Sequence, residues 1–287
     1  MPRYLIGDIL LKMEYGSIPV KSGENLSLFQ YEESWNGEEI SCVTEIDDLH
    51  LDEWECVSPD NNIYQIYRKE TEECLVYHWG NLFNAFAVHP EGFSVTFSKE
   101  MLAQPELRED WFFSIISFHR QLLQRKACIL HSSYVEYEGK ALLFTGPSNV
   151  GKSTQASIWE QYGGAQIING DRTLIREKDG QMFVYGYPCC GTSGICVNKT
   201  LPLNMIVVLE QANENRIKEL SVMEKMRALV VAMEVYPWDR KEIDWAFAVA
   251  KQIVKQVPVI KLYCRPDKGA FDVLKQYWEE IENGKSI

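Results

Sequence analysis

ALLFTGPSNVGKST, residues Ala141–Thr154, is the stretch of this sequence with the clearest structural meaning. Its second part follows the pattern G-x-x-x-x-G-K-[ST], which forms a phosphate-binding loop when a strand precedes it and a helix follows it. The apolar run before Gly146 predicts the buried strand. Gly146 and Gly151 permit turns that other residues would strain, and the successive backbone N–H groups of such a loop point inward around an anion. We therefore predict a strand–loop–helix unit that binds a nucleotide phosphate.

The side chains of this loop have separate predicted roles. Lys152 is placed to reach the β- and γ-phosphates, and the Ser153 hydroxyl is placed to hold Mg²⁺. The helix predicted over Ser153–Tyr162 directs its positive end at the same anion, and Gly163–Gly164 ends it. The residues predicted to bind the nucleotide are Gly146, Ser148, Asn149, Val150, Gly151, Lys152, Ser153 and Thr154.

Composition limits the kinds of partner. The chain has 287 residues, a formal net charge of −12 and no block of Lys or Arg, which argues against nucleic acid or an anionic membrane as the main partner. No apolar run is long enough to span a membrane, and no secretory signal is visible. The eight cysteines are scattered without a C-x-x-C pair, which is typical of reduced thiols. We expect a cytoplasmic protein.

Local patterns predict two domains, 1–104 and 105–287. Short strands separated by turn residues indicate a β-rich N-terminal domain of unknown role, either an antiparallel meander or a small sandwich. These strands are Tyr4–Met13, Leu26–Tyr31, Ile40–Ile46, Ile63–Arg68, Cys74–Trp79 and Phe93–Phe97. Helical spacing of apolar residues over Glu106–Arg125 predicts an amphipathic helix between the two halves.

The second half alternates strands and helices, which predicts an α/β domain with a mixed sheet. A hairpin, Ala127–Tyr137 followed by the loop strand, leads directly into the phosphate loop. The strand Ala165–Asn169 then delivers the carboxylate of Asp171. The loop Gly191–Gly194 is either a second anion-binding nest or a plain tight turn.

Two segments together resemble HPr kinase/phosphorylase, whose core is shared with ATP-dependent phosphoenolpyruvate carboxykinases. They are His131–Ser153, with a histidine shortly before the loop strand, and Ile167–Arg172. The resemblance implies that ATP and Mg²⁺ are the cofactors, that Asp171 accepts a proton and that His131 assists it. The sequence departs from the family twice. Gly170 replaces the first acid of the family's Asp-Asp pair, and Tyr187–Ile195 contains no counterpart of its metal-binding Glu.

The same pattern behind a β-rich region resembles HPr-kinase-like proteins associated with modified-peptide biosynthesis. It implies an ATP-dependent kinase acting on a serine hydroxyl of a peptide or protein. Two further hypotheses stay open: a small-molecule kinase on the same core, and a non-catalytic nucleotide-binding scaffold. Asp171 is either the base or a ligand of Mg²⁺, beside Ser153, and His131 is either its assistant or a core histidine. The expected partners are a nucleotide, the acceptor and a second copy of the chain as a homo-oligomer.

Overall fold

Two compact units make up the chain: Met1–Gln121 with Pro237–Arg240, and Leu122–Tyr236 with Lys241–Ile287. The computed structural model describes residues 1–16, 20–21, 23–47, 50–58, 64–70, 72–79, 82–89, 92–97, 99, 107–108, 118–236 and 239–284. The predicted boundary between residues 104 and 105 lies inside the first unit. A pairing of Leu107–Arg108 with Val20–Lys21 explains this, because it attaches residues beyond 104 to the N-terminal strands.

The first unit is built around one eight-stranded sheet of order β1-β2-β4-β9-β8-β7-β6-β5. The pairs β2–β4 and β4–β9 are parallel, and the other neighbours are antiparallel. Its elements are β1 Arg3–Ile6, β2 Ile9–Glu14, β3 Val20–Lys21, α1 Glu24–Ser27, β4 Glu38–Ile46, β5 Glu55–Cys56, β6 Tyr64–Lys69, β7 Glu72–Trp79, β8 Leu82–His89, β9 Gly92–Phe97 and β10 Leu107–Arg108.

Three predictions for this unit were wrong. The single strand Tyr4–Met13 is a hairpin, because Gly7 and Asp8 both adopt left-handed φ, 62° and 59°. The strand predicted over Leu26–Tyr31 begins inside helix α1, and the buried residues Leu26, in the helix, and Phe29, just after it, are three positions apart. Of the two predicted arrangements, the antiparallel meander is contradicted, since β4 is parallel to both of its neighbours and the sheet is mixed.

The helix predicted over Glu106–Arg125 is correct only at its end. Leu107–Arg108 is strand β10, and helix α2 covers Phe118–Gln124. Residues 109–117 of the prediction lie outside the described part of the chain.

The second unit alternates strands and helices, which confirms the predicted mixed α/β class. Its elements are β11 Ala127–Tyr137, β12 Lys140–Thr145, α3 Lys152–Gly163, β13 Gln166–Asn169, β14 Arg172–Lys178, β15 Gln181–Tyr185, β16 Leu201–Gln211, β17 Arg216–Glu219, α4 Val222–Ala232, α5 Arg240–Gln256, β18 Val259–Cys264 and α6 Lys268–Glu282. In the described part of the chain no helix is long and apolar enough to cross a bilayer.

Two long strands, β11 and β16, organise this unit. Strand β12 lies between them, antiparallel to β11 and parallel to β16, and β18 continues the sheet parallel to β16. The beginning of β11 pairs with β14, which leads through β15 back to the beginning of β16. Strands β11, β14, β15, β16 and β12 thus form a closed circuit, and the carboxyl ends of β12, β16 and β18 meet at one edge.

The sheet around β12 is buried on both faces. Leu142 and Phe144 pack in a cluster with Trp159 of α3 and with Phe271 of α6, whereas Leu143 packs in a second cluster with residues of α4 and α5. Burial on both faces accounts for the uninterrupted apolar sequence of the loop strand. Aromatic contacts hold helix α3 in place, because the Trp159 ring centroid lies 5.1 Å from that of Phe271 in α6, edge to face, and 6.4 Å from that of Phe144 in β12.

Candidate functional site

The phosphate loop has the predicted strand–loop–helix geometry. Gly146 and Gly151 adopt φ of 141° and 108°, and helix α3 begins at Lys152, directly after Gly151. Asn149 also has a left-handed φ, 61°, as short polar side chains tolerate. The amide Nε2 of Gln211, at the end of β16, donates to the carbonyl oxygen of Asn149 at 3.2 Å. The loop is therefore fastened to the neighbouring parallel strand.

The Lys152 side chain is held over the phosphate loop by carbonyl groups of the loop itself. Its Nζ donates to the carbonyl oxygens of Gly146 and Pro147, both at 3.1 Å, and the residue is only 8% exposed. Burial lowers the pKa of this ammonium group below its ordinary value, and the negative charge of Asp171 opposes that shift. An ammonium group has three N–H donors. A partly dehydrated cation with a further donor is suited to a phosphate oxygen.

Asp171 lies at an interruption between two strands that pair with β11 in succession. Strand β13 pairs with the end of β11 and β14 with its beginning, so that only Gly170 and Asp171 separate them. The backbone stays attached across the gap, since Ser132 N donates to the Asp171 carbonyl oxygen at 2.9 Å. Such irregularities redirect a side chain next to a site. Here they bring the Asp171 carboxylate beside His131.

His131 and Asp171 form a hydrogen-bonded pair. His131 Nε2 lies 2.9 Å from Asp171 Oδ1, and because an ionised carboxylate only accepts, the ring nitrogen donates. This hydrogen bond holds the pKa of the Asp171 carboxyl below its ordinary value, although partial burial acts in the opposite direction. Arg172 contributes less, with Nη1 at 3.8 Å from Asp171 Oδ2. Asp171 is therefore ionised at neutral pH and oriented through Oδ1, and Oδ2 lies too far from Arg172 Nη1 for a hydrogen bond.

One cavity of about 560 Å³ brings most of the predicted site residues together. The predicted residues that line it are His131, Ser148, Asn149, Gly151, Lys152, Ser153, Thr154 and Asp171. Gly146 and Val150 are not among its lining residues; Val150 packs against the apolar cluster around Trp159.

The donor set suits Mg²⁺ bound together with a nucleotide. Ser153 is exposed in the first turn of α3 and shares the cavity with Asp171. Among the described residues no group of three or more His, Cys, Asp and Glu side chains could hold a metal by itself. Mg²⁺ commonly takes one or two protein oxygens and completes its shell with phosphates and water. Ser153 and Asp171 fit that requirement.

Asn169 is a structural residue of the site that the sequence reading missed. It is fully buried, and its Oδ1 accepts from the backbone N–H groups of Asp171 and Arg172 at 2.9 and 3.0 Å. Its Nδ2 donates to the carbonyl oxygens of Tyr187 and Cys189 at 2.8 and 3.2 Å. The sequence signal that could have identified this role is an Asn immediately before Gly-Asp, since Asn side chains commonly hydrogen-bond to the backbone two residues further along.

Replacing Asn169 with alanine is expected to lower the free energy of unfolding by about 2–4 kcal/mol, because buried backbone groups on two segments lose their partner. Chemical denaturation measures this loss. Asn283→Ala is the matched control, since Asn283 makes one exposed side-chain hydrogen bond, to Glu279 O, and a change within about 0.5 kcal/mol is expected there. Equal stability of the two variants would contradict the bracing role of Asn169.

The Gly191–Ser193 segment is a single 3₁₀ turn that lies against Asp171. A Cβ atom at Gly191 would lie 2.7 Å from Asp171 Cγ, and one at Gly170 would lie 2.4 Å from Ser193 Cβ. Glycine is therefore required at positions 170 and 191, where the Gly191–Ser193 turn lies close to Gly170 and Asp171. Ser193 Oγ donates to the Cys190 carbonyl oxygen at 2.6 Å, which closes the turn. Thr192 and Ser193 line the cavity, so this turn forms part of its wall.

Arg172 and Glu234 form a second charged pair that the sequence reading missed. Arg172 Nε contacts Glu234 Oε1, and Glu234 N donates to the Ile129 carbonyl oxygen at 2.9 Å. The ion pair ties the segment that follows helix α4 to β14, and the backbone hydrogen bond ties the same segment to β11, which carries His131. No local pattern marks it, because the partners are distant in sequence.

Comparisons with known proteins give little beyond this geometry. No protein-family model matches the sequence, and no curated protein is significantly similar to it. Among solved structures the chain is similar to the HPr(Ser) kinase/phosphatase from Coxiella burnetii, at 11% identity and a TM-score of 0.31, over 54% of this chain and 98% of that one. At that TM-score the likeness carries no functional argument, so the function must be derived from the residues of this chain.

Proposed function

We propose that this protein is an ATP-dependent kinase that transfers the γ-phosphoryl group to a hydroxyl, specifically a serine of a peptide or protein. One observation carries the proposal: the hydrogen-bonded pair of His131 and Asp171 lies in the same cavity as Lys152 and Ser153. A phosphate loop alone is compatible with binding only. A positioned carboxylate facing that loop adds a group that accepts a proton from an attacking hydroxyl.

The residues divide the work of phosphoryl transfer, which depends mainly on positioning and charge neutralisation. Lys152 and the N–H groups at the start of α3 hold the phosphates. Ser153, together with water or Asp171, would hold Mg²⁺, and the ion would neutralise further phosphate charge. Asp171 Oδ2 accepts the proton of the acceptor hydroxyl, while His131 fixes the carboxylate through Oδ1. Asp171 thus serves as the base and His131 as its positioning partner.

Two observations bear on the class of the acceptor. The cavity is bounded by polar side chains, including Thr192 and Ser193, and not by the apolar walls typical of many small-molecule sites. The sequence resemblance to kinases of modified-peptide biosynthesis supports a peptide serine. Both points favour a hydroxyl on a polar chain as the acceptor.

The proposal is tested by incubating the full chain with Mg²⁺, ATP labelled on its γ-phosphate and a degenerate peptide library containing one serine. We expect label on the peptides and phosphoserine by mass spectrometry. The matched library carries alanine in place of serine, and the Lys152→Ala protein controls for a contaminating kinase. Label only on small-molecule hydroxyls would support the alternative kinase, whereas ATP binding without any transfer would support a scaffold.

His131→Ala is expected to raise the pKa of Asp171 and to slow transfer less than loss of Asp171 itself. The wild-type pKa is held low mainly by the hydrogen bond from His131, so the carboxylate stays ionised until the pH falls below its ordinary range. Without that hydrogen bond the Asp171 carboxylate is protonated at higher pH. The decline of the transfer rate on acidification should therefore begin at higher pH. The native-state stability contributed by the ionised carboxylate should likewise be lost at higher pH as the solution is acidified.

The pH dependence of single-turnover transfer measures this shift. His50→Ala is the control, because His50 is exposed and lies in the first unit. If the transfer rates of wild type and His131→Ala decline over the same acid pH range, His131 does not position Asp171.

A further inference from the structure

The turn Gly191–Ser193 brings two hydroxyl side chains, those of Thr192 and Ser193, into the cavity that Asp171 and Lys152 also line. A Cβ atom at Gly191 would lie 2.7 Å from Asp171 Cγ, so the backbone directly before Thr192 lies against the carboxylate that serves as the base. Neither hydroxyl has a chemical role in the phosphoryl transfer described above.

The two hydroxyl groups differ in their hydrogen bonds. Ser193 Oγ donates to the Cys190 carbonyl oxygen at 2.6 Å and accepts from Ile195 N at 3.3 Å, so this hydroxyl is used to close the turn. Thr192 is exposed, and its side chain makes no hydrogen bond to any residue in the part of the chain that the structure describes. A threonine hydroxyl can donate a proton and carries two lone pairs. Thr192 therefore carries the hydroxyl of this turn that is available to attack a phosphate.

The segments on both sides of the turn are fixed to strand β13. Before the turn, Asn169 Nδ2 donates to the Cys189 carbonyl oxygen at 3.2 Å. After the turn, Val197 N donates to the Ile168 carbonyl oxygen at 3.0 Å. Because β13 also leads to Asp171, one strand sets the positions of the turn and of the carboxylate. A nucleophile held beside its base and its reaction partner reacts as if it were highly concentrated.

We propose that the protein phosphorylates its own Thr192, by transfer of the γ-phosphoryl group of ATP within one chain. The inference rests on the proposed function and adds an acceptor that belongs to the chain itself. It makes Thr192 a modification site in the wall of the cavity.

The step balances without a further reactant. Thr192 Oγ1 forms a bond to the γ-phosphorus as the bond from that phosphorus to the β,γ-bridging oxygen breaks, and ADP carries that oxygen away. Asp171 Oδ2 takes up the hydroxyl proton. Lys152 and the N–H groups at the start of α3 balance the charge on the phosphates, as they would for an external acceptor. The products are ADP and phosphothreonine at position 192.

The test incubates the full chain with Mg²⁺ and ATP labelled on its γ-phosphate, without any peptide. Wild type should take up about one phosphate per chain, and peptide mapping by mass spectrometry should find it on Thr192. The rate constant should stay the same over about a hundredfold range of protein concentration, because the acceptor and the phosphate loop belong to one chain.

Three variants separate the hydroxyl from its surroundings. Thr192→Val removes the hydroxyl at nearly constant shape and should lose the label, whereas Thr192→Ser should carry it as phosphoserine at the same position. Thr200→Val is the matched control and should be labelled like wild type, because Thr200 is exposed and is not among the residues that line the cavity. Asp171→Asn should take up label at least about 100-fold more slowly.

Label on the serine peptide library but not on the chain itself would overturn the inference and leave the proposed function standing. Label at a residue other than Thr192, or a rate constant that rises with protein concentration, would overturn the inference as well. Label on neither the chain nor the library would overturn both. If Thr192→Val does not fold, the positions mapped in wild type and in Thr192→Ser decide the point.

Discussion

Lys152→Ala is expected to lower the affinity for ATP with Mg²⁺ by about 100-fold, as measured by calorimetry. The reason is the environment of the ammonium group. The ammonium group is buried, and that burial lowers its pKa. It donates hydrogen bonds to the carbonyl oxygens of Gly146 and Pro147 in the phosphate loop. A cation already stripped of much of its water gains more from a phosphate than a solvated one does. Alanine removes both the charge and the donors.

The matched control is Lys140→Ala, which removes a lysine from the surface of the same unit. Lys140 contacts Glu282 and is about one-third exposed, and exposed pairs of this kind contribute at most about 1 kcal/mol to stability. ATP affinity should be unchanged in this variant. Wild-type affinity in Lys152→Ala would show that the loop is not the phosphate site.

Asp171→Asn is expected to slow phosphoryl transfer by about 10²–10⁴-fold while ATP affinity stays near that of wild type. The amide has the shape of the carboxylate, and its oxygen still accepts from His131, but the group that takes up a proton is lost. The Lys152 contacts and the loop geometry do not depend on that charge. Single-turnover transfer and calorimetry on the same preparation separate the two quantities.

The alternative role of Asp171 predicts a different outcome of the same experiment. If Asp171 serves chiefly as a ligand of Mg²⁺, the Asn variant should bind ATP more weakly and with less dependence on the metal. Asp179→Asn is the control, because Asp179 lies in the exposed turn between β14 and β15, with a left-handed φ of 51° that Asn also tolerates. Full transfer activity in Asp171→Asn would refute the kinase mechanism.

The sequence predicted those parts of the second unit that are encoded by short, contiguous patterns. The helix predicted over Ser153–Tyr162 is observed as Lys152–Gly163, and the strand predicted over Ala165–Asn169 is observed as Gln166–Asn169. The phosphate loop has the required strand and helix on either side. In each case the residues that specify the element are neighbours in sequence, so no tertiary information was needed.

The sequence predicted less of how the site is assembled, since strand pairing brings its residues together. His131 and Asp171 are 40 positions apart and become neighbours because β13 and β14 pair successively with β11. The motif resemblance suggested that pair, but neither Asn169 nor the Arg172–Glu234 contact follows from a local pattern. In the first unit the error over Leu26 arose from a short apolar run, which does not distinguish a strand from a helical turn.

The position of β12 between β11 and β16 has a consequence for how the protein is synthesised. Ala141 lies opposite Leu203, and helix α3 packs its Trp159 against Phe271 and Trp278, near the C-terminus. A nascent chain synthesised only as far as β15 therefore contains the complete loop sequence. Strand β12 then lacks its partner β16, and helix α3 is not yet covered by α6. Contacts this distant along the chain form slowly. Competence to bind nucleotide should appear only after β16 and α6 have been synthesised, and until then the unpaired loop strand is exposed to aggregation.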